Sequence, residues 1–178
     1  MNNITKALVL SFFIMISIQL SAQESPNKLE VGFNLSQYQK DFGFGLHVIS
    51  PYFIKEKVAI KAGVNLQHLE NLNGTETTWT SYQNIQLGIR SRSVIISERV
   101  FIYGEAGVVT ILPNNEFSSE SSVVGGYGLF GFEFRPAQRF SYFIEMGAIG
   151  SGATADKLEA KPIYSNGLVT NVGFRVGL

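Results

Sequence analysis

A chain of 178 residues with 14 basic and 14 acidic side chains, no cysteine, 18 glycines and 21 Phe plus Tyr (14 + 7) has room for one domain once any leader is removed. The charge balance excludes a polybasic patch for nucleic acid or membrane, and the lack of cysteine excludes disulfides and thiolate metal sites. With 16% charged residues the sequence is too apolar and aromatic for disorder, and too glycine-rich for a helical bundle.

The first segment, MNNITKALVLSFFIMISIQLSAQES, follows the plan of a secretory signal: a positive charge at Lys6, an apolar run from Ala7 to Ile18, then small residues before a polar stretch. Cleavage is expected near Gln23, giving a signal peptide of 1–23 and a domain of 24–178, which is 178 − 23 = 155 residues. The apolar run is shorter than the roughly 20 residues of a spanning helix.

The rest of the chain alternates between apolar and small or polar residues with a period of two, interrupted by turn-forming clusters. Eight runs are expected as strands: Lys28 to Ser36, Asp41 to Ser50, Lys57 to Leu69, Ser81 to Ile96, Arg99 to Leu112, Ser122 to Arg135, Phe140 to Gly150 and Ser165 to Leu178. The links PYFIKE, SE and PAQR are short, whereas 70–81, 113–121 and 151–164 are longer and polar; only QYQK, at the longer end, is also short. Unlike rims of this kind describe a meander closed into a barrel, and in outer-membrane barrels the short turns face the periplasm.

The two faces of the runs differ in a way that assigns them. Val58, Ile60, Ala62, Val64 and Leu66 oppose Ala59, Lys61, Gly63, Asn65 and Gln67; Leu168, Thr170, Val172, Phe174, Val176 and Leu178 oppose Val169, Asn171, Gly173, Arg175 and Gly177. A water-facing set has no need of so much glycine. The interior of an eight-stranded barrel, just wide enough for side chains to fill, does. The small and polar set is therefore expected inside and the large apolar set toward lipid, with Tyr38, Tyr52, Trp79 and Tyr103 as candidates for interfacial girdles. Inside would then lie Glu30, Glu105, Glu133 and Glu145 with Lys61, Arg90, Arg92, Arg135 and Arg175, four acids against five bases, as buried ions require partners. A two-residue turn at Ser97 and Glu98 places Arg90 opposite Glu105, and closure of the barrel brings Glu30 toward Arg175. A secreted soluble barrel with an apolar ligand pocket is the competing reading of the same alternation.

These features resemble the small eight-stranded outer-membrane β-barrel proteins of Gram-negative bacteria, over essentially the whole expected domain. The most specific element is the C-terminal insertion signal, which in that family reads polar, any, Gly, any, any, hydrophobic, any, hydrophobic; Asn171, Gly173, Val176 and Leu178 occupy those places. Leu178 departs from the Phe that ends many members. The resemblance implies an all-β, eight-stranded antiparallel up-and-down transmembrane barrel, integral to the outer membrane with periplasmic termini. Its implied partners are membrane lipid, lipopolysaccharide and the barrel-assembly machinery, with an extracellular partner to be met through 70–81, 113–121 and 151–164.

Some barrels of this family are lipid A deacylases or acyltransferases that use His with Ser and an acid. Here there are two histidines, His47 on the inward set and His68 on the apolar set, neither with a serine two residues away. The expectation is a non-enzymatic barrel with no cofactor and no metal site, filled by its own polar side chains. A narrow channel and a lipid-modifying enzyme are the alternatives. GGYGLFG lacks the Lys-Ser/Thr pair of a phosphate loop, Glu116, Glu120 and Asp156 lack the spacing of a calcium loop, and NGT at Asn73 to Thr75 reads as a turn or a glycosylation acceptor.

Overall fold

The computed structural model describes residues 28–73, 76–97 and 99–178. The expected leader and Glu98 lie outside the described residues, as do Gly74 and Thr75 of the NGT stretch. Eight antiparallel strands follow one another: β1 (Glu30–Gln37), β2 (Asp41–Ile49), β3 (Val58–Asn73), β4 (Glu76–Ser97), β5 (Val100–Leu112), β6 (Val123–Ala137), β7 (Phe140–Gly150) and β8 (Gly167–Gly177). Each pairs with its neighbours in sequence, and β8 closes on β1 from Glu30↔Gly177 to Gln37↔Thr170. Closure removes every sheet edge within the wall, which is the condition for a strand structure to sit in hydrocarbon.

Two connections differ from the sequence reading. The stretch 70–81, expected as a loop, is instead the tip of a β3–β4 hairpin that stays paired out to Asn73↔Glu76. Thr77, Thr78 and Thr80 read as polar but are β-branched and fit a pleat. Asn71 secures the pairing, its Nδ2 donating to Thr80 Oγ1 at 3.1 Å while Thr78 Oγ1 donates back to the Asn71 side chain. At the other end Ser97 pairs with Val100, one residue beyond the expected turn at Ser97 and Glu98. Two irregularities, between Arg92 and Val94 and between Ile95 and Ser97, absorb the difference, so that Arg90 still faces Glu105.

The wall is apolar outside. Phe42, Phe44, Leu46 and Val48 of β2, Ile85, Leu87 and Ile89 of β4, and Val172, Phe174 and Val176 of β8 are all exposed, while the alternate positions are buried or, at Gly173, half-buried. Aromatic rings gather at both ends of this band, Phe42, His68 and Trp79 near the loop end and Phe134, Phe140, Tyr142 and Phe174 near the terminal end. Of the four girdle candidates only Trp79 lies there; Tyr38, Tyr52 and Tyr103 are buried. Tyr103 shares its parity on β5 with Glu105, so a pleat that turns one inward turns the other inward too.

Candidate functional site: the barrel interior and its mouth

The terminal half of the interior is a charged cluster. Lys61 Nζ donates to Glu105 Oε1 at 2.8 Å, and Tyr127 Oη donates to the same oxygen at 3.0 Å. Glu133 collects three guanidinium groups: Arg90 Nη2 at 2.9 Å and Arg175 Nη1 at 3.3 Å on Oε2, and Arg135 Nε on Oε1. Glu145 accepts from Arg175 Nη2 at 2.7 Å, from Tyr103 Oη at 2.7 Å and from Asn171 Nδ2 at 3.1 Å. The flat faces of the guanidinium groups are covered by rings, Arg90 lying 3.4 Å from the Tyr103 centroid and Arg175 3.6 Å from that of Phe143.

The charges balance. Glu30, Glu105, Glu133 and Glu145 face Lys61, Arg90, Arg135 and Arg175, four acids against four bases joined by ion pairs. Neutrality offsets part of the desolvation that each ion undergoes away from bulk water. Arg92 stands apart near the terminal rim, its guanidinium 4.1 Å from the Tyr52 ring centroid and 4.8 Å from that of Phe101. Glu30 pairs with Arg135 at 2.7 Å rather than with Arg175, although Glu30 and Arg175 line the same small cavity of about 30 Å³ at the rim. An arginine is long enough to reach across the lumen, so its partner need not come from the adjoining strand.

Above the cluster a chain of hydrogen bonds links five strands, each member donating to the next. Arg175 Nε donates to His47 Nε2 at 3.1 Å, which leaves the His47 proton on Nδ1, facing Asn34 Oδ1 at 3.2 Å. Asn34 Nδ2 then donates to Asn65 Oδ1 at 3.1 Å, and Asn65 Nδ2 to Asn84 Oδ1 at 2.7 Å. Both His47 nitrogens are thus engaged within the wall. His68 lies on the outer face, stacked on Phe42 at 5.1 Å between centroids.

The loop half of the interior is aromatic and apolar, which the sequence reading missed. Tyr38, Leu69, Tyr82, Val109, Ile111, Tyr127, Ile149 and Val169 from the wall meet Phe117, Ala153, Ala155 and Tyr164 from the two loops 113–122 and 151–166. Tyr82, Phe117 and Tyr164 contact one another edge-on, with centroids 4.9 to 6.0 Å apart. The loops are tied together and to the wall: Ser119 N and Oγ donate to Asp156, Lys157 N donates to Phe117 O at 3.1 Å, and Asp41 Oδ2 accepts from Ser165 N at 2.6 Å and Tyr82 Oη at 2.7 Å. The signal was a lone Phe in a polar loop, PNNEFSSES, whose burial depends on loop geometry that alternation does not encode.

The places of the insertion signal alternate as β8 does. Asn171 and Gly173 turn inward, where a Cβ on Gly173 would stand 2.0 Å from Phe33 O, and Val176 and Leu178 turn outward. Leu178 N still donates to Leu29 O at 2.9 Å, so the ladder runs to the last residue.

No protein-family model matches the chain, and no curated protein matches it in sequence. Solved structures do match. The N-terminal β-barrel domain of Pseudomonas aeruginosa OprF aligns with a TM-score of 0.57 and 10% identity over 85% of this chain and 98% of that one. The Yersinia pestis outer membrane protein Ail in a phospholipid bilayer nanodisc aligns with a TM-score of 0.50 and 13% identity over 85% of this chain and 99% of that one. Closed topology, an apolar exterior and these two likenesses agree: the chain has the fold of the small eight-stranded outer-membrane β-barrel proteins.

Proposed function

We propose that the protein is an integral outer-membrane barrel with periplasmic termini, serving a structural or surface-interaction role rather than conduction or catalysis. One observation carries this reading: the charges are inside and the large apolar side chains outside, the reverse of a water-soluble domain. Wall residues that are exposed to solvent in isolation, such as Leu46, Leu87 and Leu168, have a natural environment only in lipid. The short connections then lie in the periplasm, and the hairpin tip and the two tied loops lie outside.

Two further features support the rest of the reading. A neutral ion cluster in one half of the lumen and an aromatic cluster in the other support a filled interior over a diffusion path. His47 has both nitrogens committed to Arg175 and Asn34, which does not suit a general base. Asn171, Gly173, Val176 and Leu178 are proposed to present β8 to the assembly machinery, with Leu178 standing in for an aromatic terminus.

Fractionation of cells, followed by gel migration with and without boiling, tests the reading. The expected result is a heat-modifiable band in the outer-membrane fraction and, in planar bilayers, no steady conductance. A protein recovered soluble from the periplasm overturns the membrane reading, and stepwise single-channel currents overturn the filled lumen.

A further inference from the structure

Resting on the surface-interaction reading, we propose that the groove between the open edge of β3 and the 151–166 loop accepts an extended, base-bearing peptide segment as an added strand. The β2–β3 ladder ends at Asp41↔Leu69, with one further bond from Glu70 N to Lys40 O at 3.2 Å. That bond and Ser50 N to Ile60 O at 2.9 Å show that even-numbered β3 residues direct their main-chain groups toward β2. The next in the row is Leu72, and among the described residues no strand stands opposite it on that side. Pairing with β4 as far as Asn73↔Glu76 nevertheless holds this stretch extended. An edge of this kind is a template for another chain.

Glu70 and Asn71, which lead into that edge, line with Lys40 one side of a groove of about 530 Å³ whose other side is Leu158, Glu159, Ala160 and Pro162. That volume is in the range of a ligand site. The far wall is held in place: Ala155 N donates to Pro162 O at 2.9 Å, Lys161 N to Leu158 O at 3.0 Å, and Lys161 sits at φ 42°, a left-handed conformation uncommon outside glycine. Leu158, Ala160 and Pro162 make the far wall apolar, so the side chains that an entering strand turns toward it are apolar, and those alternate along the strand. Glu70 and Glu159 against Lys40 favour a cation at the positions between, and the loop end as a whole has six acids (Glu70, Glu76, Glu116, Glu120, Asp156, Glu159) against three bases (Lys40, Lys157, Lys161). The partner is therefore an unpaired polypeptide segment alternating apolar and basic residues.

The test titrates a seven-residue Val/Lys alternating peptide onto the full chain reconstituted in phospholipid vesicles, reading the fluorescence of Trp79, the one tryptophan. Two controls are the same peptide N-methylated at alternate residues, and a Val/Glu peptide. Saturable binding weakened at least tenfold by N-methylation, by Ala160→Phe, which narrows the groove without adding a second indole, and by the Val/Glu sequence is expected. Equal binding of the methylated peptide, no effect of Ala160→Phe, or no saturable binding up to millimolar concentration overturns the inference; heat-modifiable migration shows that the variant is folded. Protease accessibility of the loops on intact cells separates the two readings. Loops cleaved from outside with no peptide binding sink only this inference, and loops protected from outside sink the surface reading even where the purified barrel binds.

Discussion

Lys61 on β3 and Glu105 on β5 meet at 2.8 Å by reaching over β4, where Gly88 stands opposite Lys61. A Cβ on Gly88 would lie 2.3 Å from Tyr127 Oη, the second donor to Glu105. The bridge thus depends on an absent side chain as well as on the two charges. Lys61→Met and Glu105→Gln each leave a buried ion without its main partner and should cost about 3–5 kcal/mol. The double variant should cost much less than the sum of the two, because no uncompensated charge remains. Urea unfolding in vesicles, followed by Trp79 emission, measures all three; additive losses would show that the two residues do not act as a pair.

Glycines in this wall have two different roles, and substitution distinguishes them. At Gly131 a Cβ would stand 2.5 Å from Tyr103 Cζ and 2.9 Å from Glu145 Cγ, inside the ion cluster. At Gly104, on the outer face of β5, nothing lies within 4 Å. Gly131→Ala should destabilise by about 1–3 kcal/mol through overpacking. Gly104→Ala should be neutral or slightly stabilising, since it lowers the entropy of the unfolded chain. The same urea midpoints decide it, and equal effects would mean that the lumen has slack at Tyr103.

The two faces of a regular strand were legible in the sequence through its period of two, but Tyr103, read as an interfacial candidate, lies inward with Glu105, and two irregularities in β4 interrupt the period. Which inward residues bind each other was not legible. Arg90 faces Glu105 across the β4–β5 ladder, yet Arg90 donates to Glu133 and Glu105 accepts from Lys61. Backbone register fixes Cα neighbours, whereas a guanidinium crosses the lumen. The Arg90–Glu105 register held only because two irregularities in β4 compensate for a turn set one residue later than expected. The mouth was less legible still. Phe117 and Tyr164 belong to loops, and their burial follows from contacts with Tyr82 that link residues distant in sequence.

The plug should open without the barrel unfolding. Phe117 is fully buried, and although Tyr82, one of the two rings it meets, belongs to β4, the other, Tyr164, belongs to the second loop, as do Ala153 and Ala155 of the same cluster, so its removal acts on the loops first. In Phe117→Ala the amides of Ala155, Lys157 and Tyr164, which bond Pro162, Phe117 and Ala153, should exchange with solvent at least tenfold faster. Amides in the β1–β8 ladder should keep their protection. Uniform acceleration through the wall would show that plug and barrel form one cooperative unit.

The junction between the two loops should resist acid. The Ser119 hydroxyl donates to Asp156 Oδ2 at 2.5 Å and the Ser119 amide to Oδ1 at 2.8 Å, and these bonds hold the Asp156 carboxyl below its ordinary value. A carboxyl lowered in the closed form stabilises closure fully above the ordinary carboxylate range, near pH 4, and loses that contribution as pH falls through the lowered value. Loop protection attributable to Asp156 should therefore be flat from neutral pH down to about the ordinary carboxylate range and decline only below it. Ser119→Ala should move the Asp156 titration, read from its carboxyl carbon by NMR, back toward the ordinary value and shift the loss of protection to higher pH. Asp156→Asn should remove this pH dependence altogether. An Asp156 that titrates as in a free peptide, unaffected by Ser119→Ala, would show that the two loops are not joined at this point in solution.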